Sequence, residues 1–182
     1  MRYTIVMETL KYTKVREVKS PVRAHEKDAG IDFYVPDNLQ MDVMNEKFKT
    51  TGCVVETEVG EDGFVKKFVL KPNESVLIPS GIKVRVPDGY MLQYHNKSGI
   101  ASRRGLLIGA NTVDFGYTGE CHINLHNVSK FNQIISAGDK IAQGIMIKIG
   151  FHVPVEVKDE NELYGDVKSE RGEGGFGSTG TK

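Results

Sequence analysis

The sequence predicts an all-β fold, a barrel or a sandwich, and three observations carry that expectation. Apolar and polar residues alternate with period two in several short runs. Turn-forming residues separate those runs at close intervals. No long stretch holds the 3.6-residue period of a helix.

Taken in chain order, Ala29–Tyr34 reads as a strand that carries an acidic residue, Asp32. Residues 40–68 mix polar and charged side chains around a Gly60–Gly63 turn, and read as a surface excursion or hairpin. Ile82, Val84 and Val86 then point one way while Lys83 and Arg85 point the other. The segment Ile100–Arg104 is the best helix candidate. Cys121, Ile123 and Leu125 alternate with His122, Asn124 and His126, and Ile145, Ile147 and Ile149 repeat the pattern. Turn signals stand at Pro72-Asn73, Pro79-Ser80-Gly81, Pro87-Asp88-Gly89 and Gly138-Asp139. The last stretch, 171–182, is glycine-rich and too poor in apolar residues to fold alone, so it reads as a flexible arm. The expected organisation is therefore one domain over 1–170, with the excursion at 40–68, followed by the arm.

Composition narrows the function. The chain has 182 residues, enough to bury about 70% of its unfolded surface. Lys plus Arg is 24 and Asp plus Glu is 24, a net charge of zero. That balance argues against nucleic acid as a partner, because phosphate-backbone binding needs surplus cations. No run approaches the ~20 apolar residues of a spanning helix, so no membrane partner is expected. The N-terminal stretch is charged throughout and lacks a signal-peptide core. Two cysteines, Cys53 and Cys121, cannot staple a chain of this size and read as reduced thiols. A cytoplasmic location follows as an expectation.

Five segments have residue types suited to phosphate or nucleotide chemistry, although each taken alone reads equally well or better as plain structure: a solvated tail, a basic surface turn, an Asx-turn with a core tyrosine, a hairpin and a strand start. Gly174–Gly180 combines glycines that let backbone N–H groups converge on an anion, hydroxyls that add donors, and one Phe whose face suits a nucleobase. Arg171 just before it suits a phosphate fork. Asn96–Gly105 joins Ser98 and Gly99 to Lys97, Arg103 and Arg104. Asn111–Glu120 presents Asp114 between apolar residues, where a carboxylate accepts a proton from water, with Tyr117 nearby to pack on a sugar. Ala29–Tyr34 offers Asp32 for a hydrated divalent metal. Gly138–Gln143 offers Gln143 as a polar contact. The histidines make no zinc site: His122 and His126 would lie about 13 Å apart on a strand.

In this order, the segments AGIDFY, KSGIASRRG, NTVDFGYTGE, GDKIAQ and RGEGGFGSTG resemble the five motifs of the homotrimeric dUTP diphosphatases, over roughly Ala29 to Gly180. The resemblance implies a jelly-roll-like β-barrel and a homotrimer in which each active site draws on all three chains. It implies conversion of dUTP and water to dUMP and diphosphate with Mg²⁺. By position, Asp114 would be the general base for the water that attacks the α-phosphorus. Tyr117 would lie on the deoxyribose and leave no room for a 2′-hydroxyl. Backbone groups of Asn111, Thr112, Val113 and His122 would read the uracil edge. Lys97, Ser98, Gly99 and Gln143 would bind phosphates, and Asp32 would hold Mg²⁺ through water. In the arm, Phe176 would stack on uracil while Arg171, Gly177, Ser178, Thr179 and Gly180 clamp the outer phosphates.

Three departures from the family pattern stand out. Lys97 replaces the usual Arg, keeping charge but losing the planar fork. Asn111 stands where Gly is common, and Asn tolerates positive φ. The stretch between Asp32 and Pro79 is about twenty-five residues longer than a compact member needs, with the excess placed at 40–68; the insert reads first as a passive surface excursion and second as a loop that recognises a protein partner. Two other readings belong to the same residues. A dCTP deaminase shares the implied fold but would need a glutamate where this chain has Asn124. A nucleotide-sensing regulatory protein would act through the insert.

Overall fold

In this computed structural model, residues 9–40, 42–43, 56–165, 167–169 and 172–174 are described. They contain twelve strands: β1 (Lys11–Lys14), β2 (Ile31–Tyr34), β3 (Glu56–Val59), β4 (Val65–Leu70), β5 (Ser75–Pro79), β6 (Ile82–Arg85), β7 (Tyr90–His95), β8 (Leu106–Ile108), β9 (Thr112–Val113), β10 (His122–Asn127), β11 (Gln133–Ser136) and β12 (Lys140–Lys148). Helix α1 (Ser98–Arg104) lies between β7 and β8, and α2 (Glu160–Tyr164) follows β12. The chain separates into two compact units, Met1–Gly150 and Phe151–Lys182.

The strands of the first unit pair antiparallel in four sheets, ordered β1-β6, β5-β10-β8, β11-β4-β3 and β2-β12-β7-β9. The all-β, jelly-roll-like expectation is met, although no single sheet closes on itself among the described residues. All four sheets feed one core that includes Phe33, Leu39, Phe68, Leu70, Ile78, Ile82, Leu92, Tyr94, Ile123 and Leu125. Each such aliphatic or Phe side chain contributes about 1.5–3 kcal/mol by leaving water. Phe33 and Tyr94 meet edge to face at 5.0 Å, joining β2 to β7 at the centre.

Period-two alternation translates directly into burial. β6 reads buried, exposed, buried, exposed, and β10 buries Ile123 and Leu125 between half-buried His122, Asn124 and His126. The turn signals coincide with left-handed backbone at Asn73, Gly81, Gly89 and Gly138. At β12 the packing face is the opposite of what the isoleucines suggest. Met146 pairs with fully buried Leu92 and packs on the core, while Ile145 pairs with Gln93 and Ile147 with Met91 on the outer side. Both faces of this strand are apolar, so alternation alone does not say which one packs.

Within 40–68, β3 and β4 form the hairpin read around Gly60–Gly63. β4 is a core strand, however, with Val65 and Phe68 at 2% and 1% exposure. The exposed stretch therefore ends before Val65. Residues 41 and 44–55 lie outside the described residues.

Candidate functional site

The segment after β9 is built as a rigid turn. Tyr117 N–H donates to the Asp114 carbonyl at 3.2 Å, and Gly116 has φ +90°, the geometry that a type II turn requires at its third residue. The Tyr117 hydroxyl donates to the Glu120 carbonyl at 2.9 Å. A Cβ at Gly119 would collide with that phenol, so glycine there lets the ring lie along the backbone. The Glu120 carboxylate accepts from Arg16 at 2.8 and 3.0 Å and from the Gly81 N–H at 2.8 Å. Asp114 is exposed at one end of this turn.

Asn111, Thr112, Val113, Asp114, Tyr117 and His122 line one cavity of about 260 Å³, together with Leu77, Tyr94, Ala110 and Cys121. The expected base, sugar platform and uracil-reading backbone thus meet in one place. Asn111 does not use the left-handed region: among non-glycine described residues only Asn73 has positive φ. Its carbonyl instead accepts from the Tyr94 N–H at 2.7 Å, so sheet pairing fixes the turn. Tyr94 and Cys121, each 1% exposed, lie at this cavity. Burial pushes the Tyr94 phenol far above its ordinary pKa and pushes the Cys121 thiol up.

Lys97, Ser98, Gly99 and Gln143 line a second cavity of about 310 Å³, with Ile100 and Lys140. Lys97 is the N-cap residue of α1, and Gly105 ends that helix with φ +62°. The helix begins two residues earlier than Ile100. Gln143 lies opposite Asp32 in the β12–β2 register and donates to the Asn96 carbonyl at 2.8 Å. A Cβ at Gly30 would strike the Gln143 side chain, so Gly30 makes its position possible. The two cavities have no lining residue in common.

Asp32 lies at the edge of this second group. It is 4% exposed, and both carboxylate oxygens are occupied: Oδ1 by the Lys97 ammonium and Oδ2 by Lys140 Nζ at 2.8 Å. Burial pushes its pKa up, but hydrogen bonds and charge from Lys140 and Lys97 outweigh burial and hold it below the ordinary value. A metal held through water by Asp32 does not fit this arrangement. The hydrated cation would face two ammonium groups.

The motif-based reading did not single out Lys140, Glu120, Arg16 or Tyr94. Lys140 and Glu120 stand inside motif segments, and their neighbours gave the only available hint. Arg16 carried no signal. Arg171, Phe176, Gly177, Ser178, Thr179 and Gly180 lie outside the described residues.

A family profile described as dUTPase matches residues 63–180, well over half of the chain. A deoxyuridine 5'-triphosphate nucleotidohydrolase of Mycobacterium sp. (strain JLS) is 33% identical over 168 residues, covering 91% of this chain and 90% of that protein. The enzyme of the same name from Caulobacter vibrioides is 39% identical over 114 residues, covering 62% and 70%. Among solved structures, the Staphylococcus bacteriophage 80alpha dUTPase with dUpNHpp superposes with a TM-score of 0.67 at 23% identity, over 96% of this chain and 99% of that one. A substituted dUTPase from phage phi11 of S. aureus, described with a structural Mg(II) ion, gives 0.63 at 22% identity over 84% and 98%. These structural likenesses speak for the fold.

Proposed function

Because this chain belongs to the dUTPase family, we propose that it hydrolyses dUTP to dUMP and diphosphate by in-line attack of a water held by Asp114 on the α-phosphorus. The observation that carries the reading is the braced turn 114–120. It presents an exposed carboxylate beside the Tyr117 ring at the rim of a cavity with peptide groups for a base. Phosphoryl transfer needs positioning and charge neutralisation more than covalent chemistry, and a water-orienting carboxylate suits that need.

In this reading, Asn111, Thr112, Val113 and the backbone of His122 read uracil, and Tyr117 packs on the deoxyribose. Lys97, Ser98, Gly99 and Gln143 bind phosphates. The nucleotide enters as its Mg²⁺ complex, with the metal carried on the phosphates and supplying part of the charge neutralisation. The arm serves the site of a neighbouring subunit in this reading: Phe176 covers the base there, and Arg171, Gly177, Ser178, Thr179 and Gly180 hold the outer phosphates. One chain carries the base-binding and phosphate-binding groups in separate cavities, which supports a homotrimer that joins half-sites across subunits. The apolar outer side of β12 at Ile145 and Ile147 supports the same assembly. No helix among the described residues is long and apolar enough to cross a bilayer, and we assign the enzyme to the nucleotide pool of the cytoplasm.

Deamination of dCTP is a poorer reading. Asn124 Oδ1 accepts from the Ala110 N–H at 3.1 Å and pairs with His126 Nε2 at 2.8 Å, so this amide braces backbone where a deaminase would need a carboxylic acid. Diphosphate release from dUTP, UTP, dTTP and dCTP, each with and without Mg²⁺, tests the proposal. Release from dUTP alone, strengthened by Mg²⁺, is expected. Equal release from dTTP or UTP, or ammonia from dCTP, contradicts it.

A further inference from the structure

We propose that the Tyr94 hydroxyl is a specificity-determining group of the base cavity, donating a hydrogen bond to the carbonyl oxygen on C4 of the pyrimidine. The inference rests on the dUTP reading above and deepens it, because it gives the choice of uracil over cytosine to a named side chain.

Tyr94 lies on β7, where period-two alternation turns it into the core together with Leu92. Phe33 holds its ring edge to face, and the pairing of its N–H with the Asn111 carbonyl fixes its backbone. The ring is therefore anchored from two sides. Its hydroxyl is buried, yet it has no hydrogen-bond partner among the described residues. Leaving such a group unpaired is destabilising, and a Phe here would keep the ring contact without that cost. The hydroxyl is thus a burden on the fold and an asset only to something that enters.

The polar groups around it are the Cys121 thiol, the Ser80 hydroxyl and the Tyr117 phenol. Ser80 already exchanges hydrogen bonds with the Ile82 backbone, and the Tyr117 hydroxyl donates to the Glu120 carbonyl. A thiol sulfur is a weak acceptor. Burial also keeps the Tyr94 phenol protonated, so it stands ready as a donor.

The shape of the cavity says which ligand atom arrives. Tyr117 is exposed at its mouth, whereas Tyr94 and Cys121 are buried at its floor. A nucleotide whose sugar lies on Tyr117 points its base inward. In a pyrimidine, C4 stands across the ring from the N1 that carries the sugar, so the group on C4 reaches deepest. In uracil that group is a carbonyl, an acceptor for the phenol proton. In cytosine it is an amino donor, and the phenol proton is left with no acceptor. A site built to make a buried hydrogen bond rejects the analogue that leaves it unmade.

The test compares the full-length parent protein with Tyr94→Phe, which removes one oxygen and keeps the ring. Calorimetry with dUMP and with dCMP is the first readout. The variant should bind dUMP about five- to tenfold more weakly and dCMP no more weakly than the parent does. KM for dUTP should rise by a similar factor. The melting temperature should match or exceed that of the parent, because the lost hydroxyl made no bond in the empty fold. Unchanged dUMP binding overturns the inference. An equal loss on dUMP and dCMP overturns it too, since that would be an effect of packing. A melting temperature lower by several degrees would mean that the hydroxyl is already bonded within the fold, and would also overturn it. If the parent hydrolyses dUTP and dUMP binding ignores the substitution, the inference fails alone. If dUTP is not hydrolysed while the contrast between dUMP and dCMP holds, the functional reading fails and the hydroxyl contact stands. A parent protein that does not bind dUMP overturns both.

Discussion

Arg16 and Glu120 form a two-point ion pair, Nε to Oε1 at 2.8 Å and Nη2 to Oε2 at 3.0 Å, that fastens the turn carrying Asp114 and Tyr117 to the bend after β1. The same carboxylate accepts the Gly81 N–H, so one side chain ties three segments together. Both side chains are mostly shielded, at 20% and 14% exposure. Removing Glu120 leaves a guanidinium and a peptide N–H without their partner. Glu120→Ala should cost about 2 kcal/mol. Arg16→Ala should cost a similar amount, and the double variant should cost clearly less than the sum, because the two share one interaction. Denaturant melts of the four proteins check this. Additive losses would show that the pair does not brace the turn.

Asp114→Asn keeps size and hydrogen bonding but cannot take a proton. Turnover of dUTP should fall by roughly 10²–10⁴-fold while a nonhydrolysable dUTP analogue binds with nearly unchanged affinity. Stopped-flow rates and calorimetry on the same preparation separate the two effects.

Tyr117 joins two functions in one ring. Its hydroxyl braces the Glu120 carbonyl and its face is open at the cavity. Tyr117→Phe should lose about 1 kcal/mol of stability but keep discrimination against UTP. Tyr117→Ala should lose that discrimination, because nothing then fills the space of a 2′-hydroxyl. The ratio of kcat/KM for dUTP and UTP is the measurement.

Cys121 gives a pH-dependent expectation. Burial raises its thiol pKa in the folded chain, so the folded state holds that proton more tightly than the unfolded one. Its contribution is fully present below the unfolded thiol's pKa of 9.0 and is lost as pH rises through the folded value. Melting temperature should therefore fall on the alkaline side, and Cys121→Ala should flatten part of that fall. Native Cys121 should also alkylate slowly, as peptide mapping would show.

Much of this was legible from residues in sequence order. Ile82, Val84 and Val86 announced a strand because period-two burial leaves a local trace, and Gly81, Gly89 and Gly138 announced turns because only certain residues take left-handed backbone cheaply. Asp114 and Tyr117 stood out only through the ordered set of five motifs: their own segment also reads as an Asx-turn with a core tyrosine, whereas Tyr117 is in fact 46% exposed. Distant pairings left no such trace. Arg16 and Glu120 are 104 positions apart, and Lys97 is 65 from Asp32. A lone Asp on a strand reads as free to meet a metal until the lysines that reach it are seen. β4 was hidden for another reason. Lys66 and Lys67 interrupt its apolar positions, although Val65, Phe68 and Leu70 are buried.

The most direct test of the central claim is to run the hydrolysis of dUTP in water enriched in the heavy oxygen isotope and to weigh both products. Attack of an Asp114-held water on the α-phosphorus puts the label in dUMP and leaves diphosphate unlabelled. Label in the diphosphate would mean attack at the β-phosphorus and would contradict the account.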